Sequence, residues 1–424
     1  MVALTPTKPV TFALKMFQFL LALAITEFIY RVSQTMAGSG SNILFRLGSY
    51  VFYGASMLSP LFIVVLLIVR SKLSCYRNLL FYQLSSLWPL WIYLILLFSS
   101  AAISVYTSGA ELRISMFITD ILPLIACLMF VQSKQELGYL RNIFFVTGIL
   151  IAALTLISGN IFSLSSPAYG EPARLTLEDN TITTSSNYLL SAISGLSLLF
   201  SEKSGLYKKI CIGLMIILLI FLAMLTGSRG PLLAFFASAI IIIYFTRYSL
   251  TKKVSVTVGI VLIAIVGYGY ASLVAPASAD RLLVISKDEA RYQVFQLVFD
   301  TPATLFGHGV GSFKDFSGTI GEHLDYVHNS FLEAYLETGI VGLILFSFIV
   351  LSCLKANLLK CLRTGDDTTL FVLAIFVFYL LGSQFSGTFL GYKGLYLAIL
   401  FSYWNIKVYK NDDNGCTLQT EYGR

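Results

Sequence analysis

The amino-acid sequence predicts an all-α, polytopic membrane protein of about twelve transmembrane helices, and three observations carry that prediction. Of 424 residues, 57% are hydrophobic and only 12% are charged, where a soluble domain carries about 25% charged residues. The apolar residues come in long blocks, such as Pro60–Val69, Ile210–Thr226 and Val254–Val274. Runs near twenty residues cross a hydrocarbon core of about 30 Å as helices. The period-2 alternation that a membrane barrel needs is absent.

The blocks define spans at about 12–30, 47–69, 84–106, 114–131, 142–158, 187–200, 209–226, 231–246, 254–275, 329–354, 369–382 and 389–406. The spans 187–200 and 369–382 are short, so extension or tilt is expected there. Arg70 and Lys72 close one block in the manner of a helix end at a bilayer surface. The first span follows Lys8 and lacks a small-residue cleavage site, so it reads as a retained helix. The organisation is then residues 1–275 with nine spans and an outer loop at 159–186, a long outer loop at 276–328, three further spans over 329–406, and a cytosolic tail over 407–424.

Orientation follows from the basic residues. With the N-terminus cytosolic, 18 of the 29 Lys and Arg residues fall in cytosolic segments and 10 in outer segments, with Lys15 inside the first helix. That bias obeys the positive-inside rule, and both termini face the cytosol. The net charge of +7 therefore reports topology. No basic patch interleaved with aromatics lies on a soluble domain, so a nucleic-acid partner is not implied. Cys75, Cys127, Cys211, Cys353, Cys361 and Cys416 all fall in cytosolic segments or cytosolic halves of helices, where disulfides are not expected. No CxxC or Cys/His cluster suggests zinc.

The chemistry points to the outer face, where two loops are long. The first, 159–186, contains Pro167, Pro172, Glu171, Arg174, Glu178 and Asp179. The second, 276–328, holds a segment with apolar residues at helical spacing, Val294, Leu297 and Val298, with Asp288 placed to cap it. Pro302 stops that helix, and Gly307-His308-Gly309-Val310-Gly311 follows. These glycines read either as a tight turn between short helices or as an amide concavity that holds an anion.

His328-Asn329-Ser330-Phe331-Leu332-Glu333 then enters a helix whose Leu332, Tyr335, Gly339 and Gly342 share the face of His328. Small residues there allow close helix packing. His328 is either a structural residue at a helix start or a chemical group at the membrane boundary. Thr226-Gly227-Ser228-Arg229-Gly230-Pro231 forms a very short outer turn. Arg229 in it either snorkels to the interface or meets an anion beside a helix N-terminus. Asp120 and Glu27 are the main intramembrane acids in this reading.

Together these strings resemble the O-antigen ligase and polymerase superfamily. The resemblance rests on Thr226-Gly227-Ser228-Arg229-Gly230, on Arg291 opening a short helix, and on Phe306-Gly307-His308-Gly309-Val310-Gly311-Ser312-Phe313 after Pro302. It is completed by His328-Asn329-Ser330-Phe331-Leu332-Glu333 and Glu337-Thr338-Gly339-Ile340-Val341-Gly342. The specific part covers about residues 225–345, and the N-terminal half agrees in hydropathy alone. His308 departs from the family, which often has an apolar residue between those glycines, and no role is assigned to it.

The resemblance implies a GT-C-like fold and an inverting, metal-independent glycosyltransferase on the periplasmic face of a bacterial inner membrane, with no cofactor. Its donor is a glycan on undecaprenyl pyrophosphate, and its acceptor is a lipid-linked repeat unit in a polymerase or lipid A core in a ligase. Polymerase is the expected activity, with ligase the alternative and a chain-length regulator a further partner to look for. The leaving lipid pyrophosphate gathers charge in the transition state, which arginines stabilise with bidentate hydrogen bonds. Arg229 and Arg291 are the catalytic candidates, and Arg174, Arg281, Gly309, Gly311 and Asn329 the substrate-binding ones. His328 is the candidate general base, since an imidazole of ordinary pKa, about 6.5, is largely neutral at pH 7; binding phosphate as imidazolium is its other role. A transporter is the competing class, recognised by buried ionisable residues or broken helices. A purely structural partner in a polysaccharide assembly complex would leave Arg229, Arg291 and His328 unexplained.

Overall fold

The computed structural model describes residues 87–105, 107–117, 134–157, 181–200, 205–274, 279, 282, 290–302, 304–317, 326–385, 392–406, 411–412 and 415–416. The expected spans 12–30 and 47–69, most of 114–131 and most of the 159–186 loop lie outside the described residues, as do Glu27, Asp120, Arg174, Arg281 and Asp288.

In chain order the helices are α1 (Trp88–Ile103), α2 (Thr107–Met116), α3 (Lys134–Ile157), α4 (Thr181–Leu199), α5 (Leu206–Leu225) and α6 (Arg229–Phe245). They continue with α7 (Leu250–Val274), α8 (Ala290–Asp300), α9 (Phe313–Ser317), α10 (Ser330–Thr364), α11 (Asp367–Gly382) and α12 (Lys393–Ile406). Among the described residues the one strand ladder is a two-residue antiparallel pair, β1 (Asn411–Asp412) and β2 (Gly415–Cys416). Three helices are long and apolar enough to cross a membrane: Leu206–Leu225, Leu250–Leu273 and Ser330–Thr364. Trp88–Ala102, Leu137–Ala153, Arg229–Phe245 and Asp367–Gly382 are apolar but shorter. The chain is an α-helical integral membrane protein.

By its internal contacts the chain forms two compact units. The first takes its described residues from Gln132–Val284 and Leu358–Leu381. Its centre is α4, which packs against α3, α5 and α6. This helix starts at Thr181, six residues before the expected span, because its polar opening is buried rather than looped. Thr184, Ser185 and Asn187 are all buried. Further along, the Ser191 and Ser194 hydroxyls donate to the carbonyls of Asn187 and Leu190 at 2.9 Å each. Small polar residues that bond back to their own helix leave a narrow surface on which neighbours approach closely. Gly148 of α3 uses that approach, for a Cβ there would lie 1.9 Å from the Ser191 Oγ.

The same unit shows why α10 runs to Thr364, ten residues past the expected span end. Gly365 follows in left-handed backbone, φ 57°, and its amide donates to the Cys361 carbonyl at 2.9 Å. Arg247 donates to the Thr364 carbonyl at 2.6 Å. Lys360 and Arg363 in these last turns suit the negative end of a helix dipole.

The second unit takes its described residues from Ser56–Val131, Ile285–Asn357 and Gly382–Arg424. It contains α1, α2, α8, α9, α12 and the greater part of α10. Val294 and Val298 of α8 are buried with Phe313, Val327 and Leu336, and Leu297 packs against that cluster. The apolar face read from the spacing of α8 is thus the face that covers α9 and the start of α10.

The α3–α4 contact generates the first prediction. Gly148→Val has no space at Ser191 and should destabilise the first unit by about 1–3 kcal/mol, read as a lowered melting temperature in detergent. A melting temperature equal to the parent's would show that the two helices do not meet there.

Candidate functional site

The second unit is organised by a break in α10. Gly339 has φ 73° and ψ −166° in the middle of an otherwise helical run, a backbone region open in practice to glycine alone. In an unbroken helix the amides of Ile340 and Val341 would donate to the carbonyls of Leu336 and Glu337. Here Ile340 donates instead to the Thr304 carbonyl at 3.1 Å, and Val341 to the Leu305 carbonyl at 3.2 Å. The freed carbonyls of Leu336 and Glu337 accept from the amides of His308 at 2.9 Å and Gly309 at 3.1 Å. Two helical hydrogen bonds are replaced by four to residues 304–309. Irregular backbone in a membrane protein survives only where such partners are supplied.

The glycine-rich string is therefore the filler of that break. Gly307, Gly309 and Gly311 all have positive φ. A Cβ on Gly307 would sit 2.4 Å from the Glu337 carbonyl, so only glycine lets the two backbones meet. Gly311 presses in the same way on Gly109 of α2. The Ser104 hydroxyl donates to the Val310 carbonyl at 3.1 Å, and the Ser100 hydroxyl to the Glu337 carbonyl at 3.2 Å. The amides of His308 and Gly309 are engaged with α10, which realises the tight-turn reading of this string. His308 itself is placed by its Nε2 at 3.1 Å from the Pro302 carbonyl oxygen and by an edge contact with Phe316.

His328 stands just before the first turn of α10 and is half-buried. Its φ of 62° is the one positive φ outside glycine among the described residues. A non-glycine side chain in that region costs about 1–2 kcal/mol and persists only when its surroundings impose it. The Tyr326 ring lies 4.3 Å from the imidazole, centre to centre. The helix cap is Asn329, whose Oδ1 accepts from the amides of Phe331 and Leu332 at 3.1 Å each. Capping, the structural role open to His328 in the sequence, thus falls to its neighbour. The Ser330 amide and hydroxyl both donate to the Ser383 carbonyl, at 3.1 and 3.2 Å. Gly339 is not a small residue on a continuous His328 face, as the spacing suggested; it is the break itself.

Beneath this turn lies a charged cluster that sequence reasoning missed. Arg113 of α2 is 2% exposed, and Glu333 and Glu337 of α10 are fully buried. The guanidinium donates to Glu333 Oε1 at 2.7 Å and stands 3.8 Å from Glu337 Oε1. Glu333 and Glu337 are the buried acids among the described residues, while Asp120 and Glu27 lie outside them. The i, i+4 spacing of two acids entering an apolar helix was the available signal, since buried acids demand a cation. Which cation it is depends on a contact spanning 220 residues.

Arg229 belongs to the first unit. It is the first residue of α6 and is half-buried. The turn before it is built on Thr226, whose hydroxyl donates to the Ala223 carbonyl at 2.7 Å and accepts from the Ser228 amide at 3.2 Å. Ser228 occupies the N-cap position, but its side chain makes no cap hydrogen bond. Pro231 falls in the first turn, where its missing N–H costs nothing. Arg291 is the second residue of α8. The structure brings His328, Asn329 and the glycine string into one unit around the α10 break.

His328 yields a direct prediction. Replacing it with glycine removes the strained Cβ, so His328→Gly should be about 1 kcal/mol more stable than His328→Ala, measured by thermal unfolding in detergent. Equal stabilities would mean that the left-handed conformation is not held in solution.

Residues 214–347 match a family model described as O-antigen ligase. No curated protein matches the chain. The matched stretch runs from α5 into α10 and holds Arg229, Arg291, the glycine string, His328 and the break, while Arg113 lies outside it. Over residues 214–347 the chain is thus similar to the O-antigen ligase family, which is the likeness its motifs express.

Proposed function

We propose that this protein transfers a glycan from undecaprenyl pyrophosphate to a lipid-linked acceptor on the periplasmic face of the inner membrane. The observation that carries this reading is the strained His328, held at the capped start of α10 within a segment that matches the O-antigen ligase model. Backbone strain retained outside glycine marks a position whose side chain is used. In the reaction, a sugar hydroxyl of the acceptor attacks the anomeric carbon of the donor, and the bond from that carbon to the pyrophosphate oxygen breaks. His328 takes the hydroxyl proton as general base. Arg229 and Arg291 stabilise the departing pyrophosphate, and Arg174 and Arg281 add positive charge for the donor. Asn329 holds the His328 turn, and Gly309 and Gly311, which are buried, shape the substrate site indirectly by fixing the α10 break. The chemistry requires no metal or cofactor.

Polymerase activity, with the next lipid-linked repeat unit as acceptor, is the assignment we carry to experiment. The ligase alternative, with lipid A core as acceptor, has the family model's description in its favour. A transporter is also favoured by a specific observation, since α10 is broken and Arg113, Glu333 and Glu337 are buried. Against it, the break is filled by residues 304–309 and the charges face one another, whereas a transport site keeps such groups for its cargo.

Complementation of polymerase-null and ligase-null strains separates these readings, with surface glycan resolved on a gel. Wild type should restore a ladder of chain lengths in the polymerase-null strain. His328→Ala, Arg229→Ala and Arg291→Ala, at matched membrane levels, should each lower transfer by about 10²–10³-fold. Rescue of the ligase-null strain alone would assign the ligase reaction. Full activity in all three variants would remove the proposed site and bring the transporter forward.

A further inference from the structure

The structure holds a buried cluster that the proposed chemistry does not use, and its two acids lie on the first turns of the helix that His328 enters. Arg113, Glu333 and Glu337 are sealed from solvent, and Arg113 lies outside the segment that matches the family model. A buried ion cluster is weak evidence for stability, because an apolar replacement of similar shape often holds a fold as well. Its distinctive property is direction: one guanidinium nitrogen hydrogen-bonds Glu333 and lies 3.8 Å from Glu337 one helical turn on, which ties the start of that helix to α2.

That helix turn bears His328. The Glu333 amide donates to the Asn329 carbonyl at 2.9 Å, so Glu333 belongs to the turn whose cap is Asn329 and whose entry is His328. On its other side, the Glu337 carbonyl is an anchor of the glycine string in the α10 break. Arg113 reaches both from α2, and α2 is itself fitted to the string where Gly109 meets Gly311. The unfavourable φ of His328 needs a rigid support, and Arg113 is the group placed to supply one from below.

We propose that Arg113 is a positioning residue: through its hydrogen bond to Glu333 and its ion contact with Glu337 it sets the first turn of α10, and so holds His328 in its working conformation. The inference rests on the proposed function for what His328 does, and on geometry alone for how His328 is held.

The test reads position and activity separately in the full-length protein. His328→Cys is combined with Arg113→Gln, Arg113→Lys or Glu333→Gln. The labelling rate of the new thiol by a hydrophilic maleimide is followed by peptide-resolved mass spectrometry. Arg113→Gln and Glu333→Gln should change that rate at least 5-fold, while Arg113→Lys, which keeps the charge but loses the planar donor geometry, should change it by a smaller factor. With His328 intact, glycan transfer should fall at least 10-fold in Arg113→Gln and recover in part in Arg113→Lys. An unchanged labelling rate in folded Arg113→Gln or Glu333→Gln overturns the proposal. So does failure of all three variants to accumulate, which would make the cluster a folding requirement only. A shifted labelling rate in a chain that shows no transfer activity would keep the positioning role and reject the proposed function. Normal transfer by wild type with no shift in labelling would do the reverse.

Discussion

The arrangement of the second unit depends on one exchange of hydrogen bonds. Where Gly339 turns out of helical conformation, α10 gives up two of its own backbone bonds, and residues 304–309 supply four in their place. Each such bond contributes only about 1 kcal/mol net, but a buried amide or carbonyl left without a partner costs more than that. The break and the glycine string are therefore mutually required. Neither has a satisfied backbone without the other, and this reciprocity places the end of a long loop against the first turns of a membrane helix.

Several features that look separate in the chain follow from that exchange. Gly307 and Gly339 are needed because two backbones pass closer than a Cβ allows. Val294 and Val298 give the loop a core of its own, so residues 304–309 arrive at the break on a folded support. The segment after the break, 340–364, is by itself about 37 Å long, enough to cross a hydrocarbon core of about 30 Å. The short segment before it, with His328, Asn329, Glu333 and Glu337, is then free to serve as a platform. Its polar and charged content suits such a platform, with Asn329 closing its end and Arg113 engaging its buried face.

The first unit solves a different packing problem. Its central helix α4 is lined with serine and threonine, of which Ser191 and Ser194 bond back to their own backbone while keeping the surface narrow. Close approach, as at Gly148 and Ser191, supplies dispersion contacts where the hydrophobic effect between helices is weak. The turn that presents Arg229 is held by Thr226 through two short-range hydrogen bonds. Arg229 is thus displayed from a locally determined scaffold, whereas His328 is held by contacts gathered from across its unit.

The helical class, the apolar face of α8, the turn before Arg229 and the order of the motifs were all legible in the sequence, because each is a local property of periodicity, turn chemistry or composition. Locality also explains the errors. The polar opening of α4 resembled a loop since burial, not hydropathy, makes it helical. Gly339 resembled a packing residue because its left-handed backbone leaves no mark on helical spacing. The pairing of residues 304–309 with Leu336, Glu337, Ile340 and Val341, and of Arg113 with Glu333 and Glu337, was decided by the tertiary structure alone. Those contacts join segments about 30 and 220 residues apart, and no local pattern specifies which of the chain's other cations meets two buried acids. Only the folded chain satisfies the backbone of the break and brings the two acids to their cation.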